Sequence, residues 1–170
     1  IKKFELNEDE FLKKPSEYKT FNEFFSRQLT NNARPIDPNE GSVIFPADGR
    51  HTGIQNLSKI ESIFVKGQQF DLPALFESDE LSRPYREGSM VISRLCPVDY
   101  HRFHFPISGN LSPNKKIDGV YYSVNPFALR KKVEIFCLNK REYTILSNSL
   151  FGDLVLAEVG ATMVGSIVQS

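Results

Sequence analysis

Net charge, cysteine and long apolar runs are all scarce in this chain of 170 residues. Lysine plus arginine and aspartate plus glutamate number 21 each, so no net field attracts a polyanion, and a nucleic-acid partner is disfavoured. The two cysteines, Cys96 and Cys137, form no Cys-x-x-Cys pair, which gives no disulfide framework or zinc knuckle and fits a reducing compartment. No apolar stretch approaches the roughly 20 residues that a membrane-spanning helix requires.

Aromatic residues are abundant, and several of them lie near the beginning of the chain. Thr20 is followed three positions later by Glu23, which is typical of a capping box at the start of a helix. Phenylalanine and leucine then recur at helical spacing over residues 21–29, so we predict an amphipathic helix there. Its aromatic side packs against the core, or, alternatively, residues 11–29 rest on a membrane surface.

From residue 36 onward, short apolar runs alternate with turn residues, a pattern that is typical of strands. We predict an α+β protein in which an amphipathic helical arm, residues 1–35, precedes a mostly antiparallel β domain, residues 36–170. A brief helix is expected within residues 72–81. The predicted strands are residues 42–45, 62–65, 89–95, 102–105, 119–124, 133–138, 143–146 and 154–159.

Two of the three histidines, His101 and His104, stand in one short segment, residues 99–106. An isolated histidine is more often a packed or solvated side chain, and we interpret His51 in that way. Zinc binding by the pair is a weak match, because His-x-x-His has no adjacent glutamate or evident third ligand, and we expect no metal. Acid–base chemistry is the alternative, since imidazole titrates near pH ~6.5.

Asp48 lies in Pro-Ala-Asp-Gly, directly after a predicted strand. Its ordinary role would be an Asx turn that accepts hydrogen bonds from the following backbone. Its functional role would be a carboxylate that orients a histidine and stabilises the imidazolium. No serine of the chain lies in a recognisable nucleophile setting, so these residues alone leave the reaction undefined.

Over residues 21–167 the sequence resembles the phosphatidylserine decarboxylases. Each matching motif is weak alone, but their number and order make the resemblance specific. The motifs are Thr-Phe-Asn-Glu-Phe-Phe-Ser-Arg-Gln-Leu from Thr20, Arg-Pro-Ile from Arg34, Pro-Ala-Asp-Gly from Pro46, Val-Lys-Gly from Val65, Pro-Val-Asp-Tyr-His-Arg-Phe-His-Phe-Pro from Pro97, Tyr-Ser-Val-Asn-Pro from Tyr122, Asn-Lys-Arg from Asn139 and Val-Gly-Ala-Thr-Met-Val-Gly-Ser-Ile from Val159.

This resemblance implies a proenzyme that cuts itself before a serine in a Leu-Gly-Ser-Thr-like motif, leaving a small chain that begins with a covalent pyruvoyl group. The present sequence is then expected to belong to the larger chain and to lack the pyruvoyl-bearing segment. By resemblance, Asp48 and His104 assist the self-cleavage, and His101 transfers a proton during decarboxylation. Ser123 contacts the substrate head group or, equally, shapes a turn.

The implied substrate is phosphatidylserine and the implied product phosphatidylethanolamine, so a membrane surface is an expected partner, together with the small pyruvoyl chain. We expect peripheral attachment at the cytoplasmic face of a bacterial membrane, and a homodimer stays open. Two alternatives to the enzyme remain at this point. One is a catalytically silent β module that binds a lipid or a partner, and the other is a metal-dependent hydrolase.

Overall fold

A computed structural model describes residues 6–59 and 71–169, and the predicted strand at 62–65 lies outside them. The chain forms two compact units. Unit 1 consists of the described residues of Ile1–Thr52 and Ile92–Ser108, and unit 2 of those of Gly53–Val91 and Gly109–Ser170. No helix of the described residues is long and apolar enough to cross a membrane.

The N-terminal part of unit 1 is less helical than predicted. It contains two 3-10 turns, Glu8–Glu10 and Pro15–Glu17, and the short helix α1, Phe21–Phe25. The start of α1 is as expected, because the Thr20 hydroxyl accepts a hydrogen bond from the Glu23 amide at 3.1 Å.

The predicted extension of α1 to residue 29 is wrong, and tertiary pairing is the reason. The amide of Leu12 donates to the carbonyl of Gln28 at 3.0 Å, and that of Thr30 donates to the carbonyl of Glu10 at 2.8 Å. These bonds hold the chain after α1 in an extended conformation beside residues 10–12. Pairing with another segment therefore overrides the helical spacing of the phenylalanines.

The aromatic side chains of this region divide between the core and the surface. The ring of Phe24 packs edge-on against Phe11 and Tyr18, with centroids 5.7 and 5.5 Å apart, and the buried Arg27 guanidinium lies over Phe11 and Phe24. Phe21, in contrast, is 72% exposed. Within the stripe, Phe24 is thus half-buried against the core residue Phe11, and Phe21 faces solvent.

Strands β1, Arg50–Ile54, and β2, Met90–Arg94, form a two-stranded sheet. The prediction of a strand at residues 89–95 is confirmed. The prediction of strands at residues 42–45 and 102–105 is wrong. Backbone hydrogen bonds nevertheless join these two regions, as described below.

Unit 2 contains an antiparallel sheet of four strands. Strand β5 is central, because β3 and β4 pair with it in succession while β6 pairs with it along its whole length. The strands predicted at residues 143–146 and 154–159 are confirmed within β5 and β6. The bounds are β3, Asn110–Leu111; β4, Lys115–Ile117; β5, Arg141–Asn148; and β6, Gly152–Val159.

Four short α-helices lie in the described part of unit 2, and the brief helix predicted at residues 72–81 is confirmed as α2 and α3. The strand predicted at 133–138 is wrong, because the amides of Cys137 and Leu138 both donate to the Glu134 carbonyl, at 2.8 and 2.9 Å, and so close a helical turn. The helices are α2, Leu72–Phe76; α3, Asp79–Ser82; α4, Pro126–Lys131; and α5, Ile135–Leu138.

The strand predicted at 119–124 is also wrong, and the buried Asn139 explains why. Val120 forms a single β-bridge with Asn139. Beyond it, the Asn139 side chain replaces the strand neighbour: its Oδ1 accepts from the Tyr122 amide at 2.9 Å and its Nδ2 donates to the Tyr122 carbonyl at 2.8 Å. With these corrections the mixed α+β class with antiparallel sheets is confirmed.

Two carboxyl groups face each other inside unit 2. Glu142 on β5 is the direct partner of Glu158 on β6, and Glu142 is 2% exposed. The Glu142 carboxylate accepts a hydrogen bond from Asn114 at 2.6 Å, and Glu158 accepts one from the Gln169 side chain at 3.1 Å. Burial, with a smaller contribution from Glu142, raises the pKa of Glu158 to about 7.

Because the folded pKa of Glu158 lies above its ordinary value of 4.5, the folded state binds the proton more tightly than the unfolded state. This contribution to stability is complete below pH 4.5 and is lost as pH rises to about 7. We expect a loss of about 1–2 kcal/mol over this window, less than the whole shift because the carboxyl is only partly buried.

The measurement is the urea midpoint between about pH 5 and pH 8, compared for wild type and Glu158→Gln. Glu158→Gln should weaken the pH dependence, whereas the matched change Glu134→Gln, at an exposed carboxyl, should leave it intact. Identical pH dependence in wild type and Glu158→Gln would contradict the assignment.

Candidate functional site

Asp48 sits in a turn whose conformation depends on the next residue. Gly49 has φ 118°, in the left-handed region that favours glycine, and a Cβ there would collide with the backbone carbonyl of Arg94. Only glycine therefore permits the close approach of this loop to the end of β2. The requirement for glycine at position 49 thus fixes the turn, and the turn fixes where the carboxylate of Asp48 lies.

Asp48 is held by an arginine rather than by its own backbone. Nε of Arg34 donates to both carboxylate oxygens of Asp48, at 2.8 and 2.9 Å, and a terminal nitrogen of Arg34 lies 2.7 Å from Oδ2. The other terminal nitrogen of Arg34 is 3.0 Å from the Glu10 carboxylate. The two carboxylates, Asp48 foremost, raise the pKa of Arg34, so its charge is permanent.

His104 is brought to the same loop by backbone pairing. The amide of Ile44 donates to the Pro106 carbonyl at 3.0 Å, and the amide of His104 donates to the Pro46 carbonyl at 2.6 Å. The two segments run antiparallel in this pairing, so His104 stands beside the turn that carries Asp48. The sequence gives no sign of this pairing, since neither segment is a regular strand.

Asp48 and His104 line one cleft of unit 1, with a volume of about 760 Å³. The cleft walls are rich in ionisable and hydroxyl groups. Besides Asp48 and His104, its polar lining comprises Arg34, Arg50, His51, Cys96, Asp99, Tyr100 and Arg102. A carboxylate fixed by an arginine and an imidazole in one cleft can accept, hold and return protons.

His101, the other histidine of the pair, is not among the residues that line this cleft. Its ring packs on Phe25, with centroids 3.8 Å apart, and its Nδ1 lies 2.9 Å from the Asp99 carbonyl. Because a carbonyl only accepts, Nδ1 carries the proton and Nε2 is the free acceptor. Burial lowers the pKa of His101, so the ring is neutral at neutral pH.

His51, interpreted from sequence as an ordinary side chain, does line the cleft. Its Nδ1 lies 2.9 Å from the hydroxyl of Ser93, and its ring stacks on Phe45 with centroids 4.2 Å apart. The sequence signal that could have indicated its place in the cleft is its position, three residues after Asp48. An isolated histidine gives no other sequence pattern to recognise.

Ser123 belongs to unit 2, and its hydroxyl takes part in a turn. The Ser123 Oγ accepts a hydrogen bond from the Asn125 amide at 3.3 Å, and the Asn125 side chain accepts one from the Ala128 amide at 2.8 Å. Asn125 thereby caps the start of α4. These contacts agree with the turn role, and the head-group contact stays a prediction.

Within residues 6–59 and 71–169, no group of three or more His, Cys, Asp or Glu side chains could hold a metal ion.

An α+β protein with a carboxylate and histidines around one cleft belongs to a broad class of proteins suited to proton transfer. Comparison with known families makes the assignment specific: the family model for phosphatidylserine decarboxylase matches residues 21–170. The chain therefore belongs to the phosphatidylserine decarboxylase family, as its motifs predict.

Curated relatives agree along the whole chain. It is 46% identical over 170 residues to the phosphatidylserine decarboxylase proenzyme of Fusobacterium nucleatum subsp. nucleatum, with 100% of this chain and 57% of the relative covered. It is 48% identical over 170 residues to the corresponding proenzyme of Clostridium novyi (strain NT), with 100% of this chain and 58% of the relative covered. The chain thus spans little more than half the length of these relatives.

Proposed function

We propose that this chain is part of a phosphatidylserine decarboxylase that converts phosphatidylserine to phosphatidylethanolamine after cutting itself to generate a pyruvoyl group. The observation that carries the proposal is the cleft of unit 1, where Asp48, fixed by Arg34, and His104 share one cavity. Membership of the family supports the reaction class, and the names of the relatives as proenzymes support self-cleavage.

In the self-cleavage, a serine supplied by the remainder of the protein must lose its hydroxyl proton to attack the preceding carbonyl. His104 is the proposed acceptor of that proton. Asp48 is the proposed carboxylate that orients His104 and stabilises the imidazolium. The bidentate contact from Arg34 prepares the Asp48 carboxylate for this role by holding it in one orientation.

The cleft also fits a bound carbonyl group in chemical terms, since its walls provide hydroxyl, guanidinium and imidazole donors. When bound, a pyruvoyl group supplies the carbonyl that accepts the electrons released as carbon dioxide leaves. We propose that it lies on a small chain cut from the same proenzyme. The task of this chain's residues is proton delivery after carbon dioxide has left, and we propose His101 for it.

The neutral state of His101 bears on that assignment. With Nδ1 bonded to the Asp99 carbonyl, only Nε2 can take up and return a proton. His101 lies outside the cleft lining in this structure, so its role requires the ring of Phe25 to leave Nε2 accessible. Ser123 is proposed as a contact to the serine head group.

We further propose that the protein works at the cytoplasmic face of a bacterial membrane, with residues 1–35 as the arm that meets the lipid surface. Leu12 and Phe21 support this placement, because they are 55% and 72% exposed while neighbouring aromatics are packed. Their side chains could enter the headgroup region without unfolding the packing around Phe24.

Intact mass spectrometry of the protein purified from its full-length gene tests the proposal. We expect two chains, the smaller one with a mass that indicates an N-terminal pyruvoyl group, and formation of phosphatidylethanolamine from phosphatidylserine vesicles. A single uncut chain without decarboxylase activity would instead support the silent lipid- or partner-binding module.

A further inference from the structure

His51 lines the cleft of unit 1, and the proposed chemistry gives it no task. It lies on β1 and is half-buried. Two contacts within unit 1 fix its ring: Nδ1 lies 2.9 Å from Oγ of Ser93 on β2, and the ring stacks on Phe45 at an interplanar angle of 25°. Since the stack sets the plane of the ring and the Ser93 contact sets its rotation, the position of Nε2 is fixed as well.

The partner of Nδ1 decides what Nε2 can do. Within residues 6–59 and 71–169, Ser93 is the one hydrogen-bond partner of the His51 ring, and Nε2 has none. A hydroxyl can donate or accept, whereas the carbonyl that binds His101 can only accept. When the Ser93 hydroxyl donates to Nδ1, the uncharged His51 ring carries its proton on Nε2. His51 can therefore donate a hydrogen bond from Nε2 without being charged, which His101 in its observed contact cannot do.

A negatively charged oxygen is the acceptor that gains most from such a donor, and the charges of the cleft permit one. The charged side chains of its lining are Arg34, Arg50 and Arg102, with Asp48 and Asp99. Even with Glu10, which binds Arg34 from outside the lining, the carboxylates do not outnumber the arginines. An anion that enters the cleft therefore meets no net negative charge.

The same cleft offers apolar contact beside His51. Phe45 and Ile36 line it and are 62% and 55% exposed. Because the Phe45 ring stacks on His51, a hydrogen-bond donor and an apolar surface lie side by side. A ligand that joins an anionic oxygen to apolar chains satisfies both. In a phospholipid, the phosphate diester is the anionic group nearest to the acyl chains.

We propose that His51 is a substrate-binding residue that donates from Nε2 to a phosphate oxygen of the phospholipid, and that Ser93 is the positioning residue that holds the ring for this contact. Phe45 and Ile36 then contact the glycerol and upper acyl region beside that phosphate. The inference rests on the proposed function for the identity of the lipid as phosphatidylserine. It adds the orientation of that lipid, because its phosphate is placed at one named atom.

The experiment measures binding by the protein from the full-length gene in a calorimeter, with glycerophosphoethanolamine as the probe. This probe has the phosphate diester and the amine of the product but no carboxylate and no acyl chains. His51→Phe keeps a ring that can stack on Phe45 but has no donor. It should bind the probe about 10- to 100-fold more weakly, the effect of one hydrogen bond to a charged group. Ser93→Ala should lose about two- to tenfold, because the His51 ring must then be immobilised on binding.

Matched controls come from the same unit, outside the cleft lining. Tyr18→Phe also removes a polar atom from an aromatic ring that packs on a phenylalanine, and Ser42→Ala removes a hydroxyl that binds another side chain. Both should bind the probe within about twofold of wild type. Equal losses in His51→Phe and Tyr18→Phe would show a general effect on unit 1 and overturn the assignment.

Two further probes separate the sources of an anionic oxygen. Inorganic phosphate should bind wild type more weakly than glycerophosphoethanolamine, and equally tight binding would show a general anion site and overturn the head-group assignment. Free serine, which has the carboxylate and amine without the phosphate, should bind wild type and His51→Phe equally. A loss confined to serine would assign His51 to the carboxylate and overturn the phosphate contact. Unchanged binding of glycerophosphoethanolamine by His51→Phe would leave His51 with a packing role alone.

Turnover of phosphatidylserine provides an independent readout. In His51→Phe, KM should rise while kcat changes by less than about threefold, because a contact to the phosphate is made equally in the ground state and the transition state. A fall in kcat with unchanged KM would place His51 in the chemical step and overturn the binding role. Failure of the wild-type protein to decarboxylate would contradict the proposed function, whereas binding of the probe would still decide the role of His51.

The role of Ser93 has its own readout, nitrogen-15 NMR of the His51 ring. With the probe bound to wild type, Nε2 should carry the proton and Nδ1 should be an acceptor. In Ser93→Ala the Nδ1 resonance should move, because its hydrogen bond is lost. A protonated Nδ1 with an unprotonated Nε2 in the wild-type complex would overturn the assignment of Nε2 as the donor.

Discussion

Replacement of Asp48 by alanine is expected to slow self-cleavage of the full-length protein by about 10²–10⁴-fold, the range in which a positioned acid–base group contributes. The variant loses the carboxylate that Arg34 fixes in the cleft beside His104. His104 would then lack a partner to orient its ring and stabilise its charged form. The measurement is the fraction of uncut chain over time, by intact mass spectrometry.

Asp37→Ala is the matched control for Asp48→Ala. Asp37 is also an aspartate of unit 1 that accepts turn hydrogen bonds, from the Asn39 amide at 3.0 Å and the Ser42 hydroxyl at 2.7 Å, but it does not line the cleft. The Asp37→Ala variant should undergo self-cleavage at the wild-type rate. Self-cleavage of Asp48→Ala at the wild-type rate would contradict the proposed role of Asp48. Equal impairment of both variants would mean that Asp48 affects self-cleavage only through the folding of unit 1.

Asp48→Asn separates charge from shape at the same position. The amide keeps the size of the side chain and one acceptor for Arg34, but it cannot stabilise an imidazolium by charge. It should therefore cut almost as slowly as Asp48→Ala while unfolding at the same urea concentration as wild type. Cleavage near the wild-type rate would mean that Asp48 acts through turn geometry alone.

Two residues of the cleft, Asp48 and His104, could be singled out from the sequence because local chemistry marks them. The motif Pro-Ala-Asp-Gly indicates a turn that ends in glycine. Two of the three histidines of the chain, His101 and His104, lie in one short segment, which makes that segment conspicuous. What could not be predicted is their arrangement. Arg34 gives no sequence sign that it will bind Asp48, because the contact joins residues 14 positions apart in irregular structure.

His101 and His104 are three positions apart in one short segment. In an extended segment, side chains three positions apart point to opposite sides, so His101 and His104 are not expected to share a site without a bend. The structure agrees: His104 lines the cleft and His101 packs on Phe25. Sequence alone could not choose between this arrangement and a bulge that brings the rings together.

Secondary structure was predictable where local pattern and tertiary pairing agree. Strands β5 and β6 combine apolar runs with a turn at residues 149–151, and they pair with each other. Predictions failed where a distant side chain or segment decided the backbone. Gln28 and Thr30 pair with residues 10–12, and Asn139 occupies the place of a strand beside Tyr122. Such contacts have no signal within a sequence window.

Replacement of Arg141 should cost unit 2 a large part of its stability. Its guanidinium is almost fully buried, with the residue 2% exposed, at the ends of α2 and α5. Nε donates to the Leu75 carbonyl at 2.6 Å and one terminal nitrogen to the Ala74 carbonyl at 2.8 Å. The other terminal nitrogen donates to the carbonyls of Cys137 and Asn139, at 2.6 and 3.0 Å.

These carbonyls lie at or near helix ends, where no intrahelical donor reaches them, and a cation is favoured there by the helix dipole. Arg141→Met keeps much of the side-chain volume but leaves the buried carbonyls without donors. We expect it to lower the free energy of unfolding by about 3–5 kcal/mol, since each buried carbonyl left without a donor costs about 1–3 kcal/mol. Arg141→Lys should lose nearly as much, because one ammonium group cannot serve two helix ends.

The free energy of unfolding is measured by urea titration of the protein from the full-length gene, with the signal of unit 2 followed by amide hydrogen exchange of β5. Arg86→Met is the matched control, an exposed arginine of the same unit, and it should change stability by no more than about 0.5 kcal/mol. If Arg141→Met were as stable as Arg86→Met, the carbonyls would have other donors in the whole protein. Loss of protection confined to α2 and α5 would show that Arg141 joins these helices without supporting the sheet.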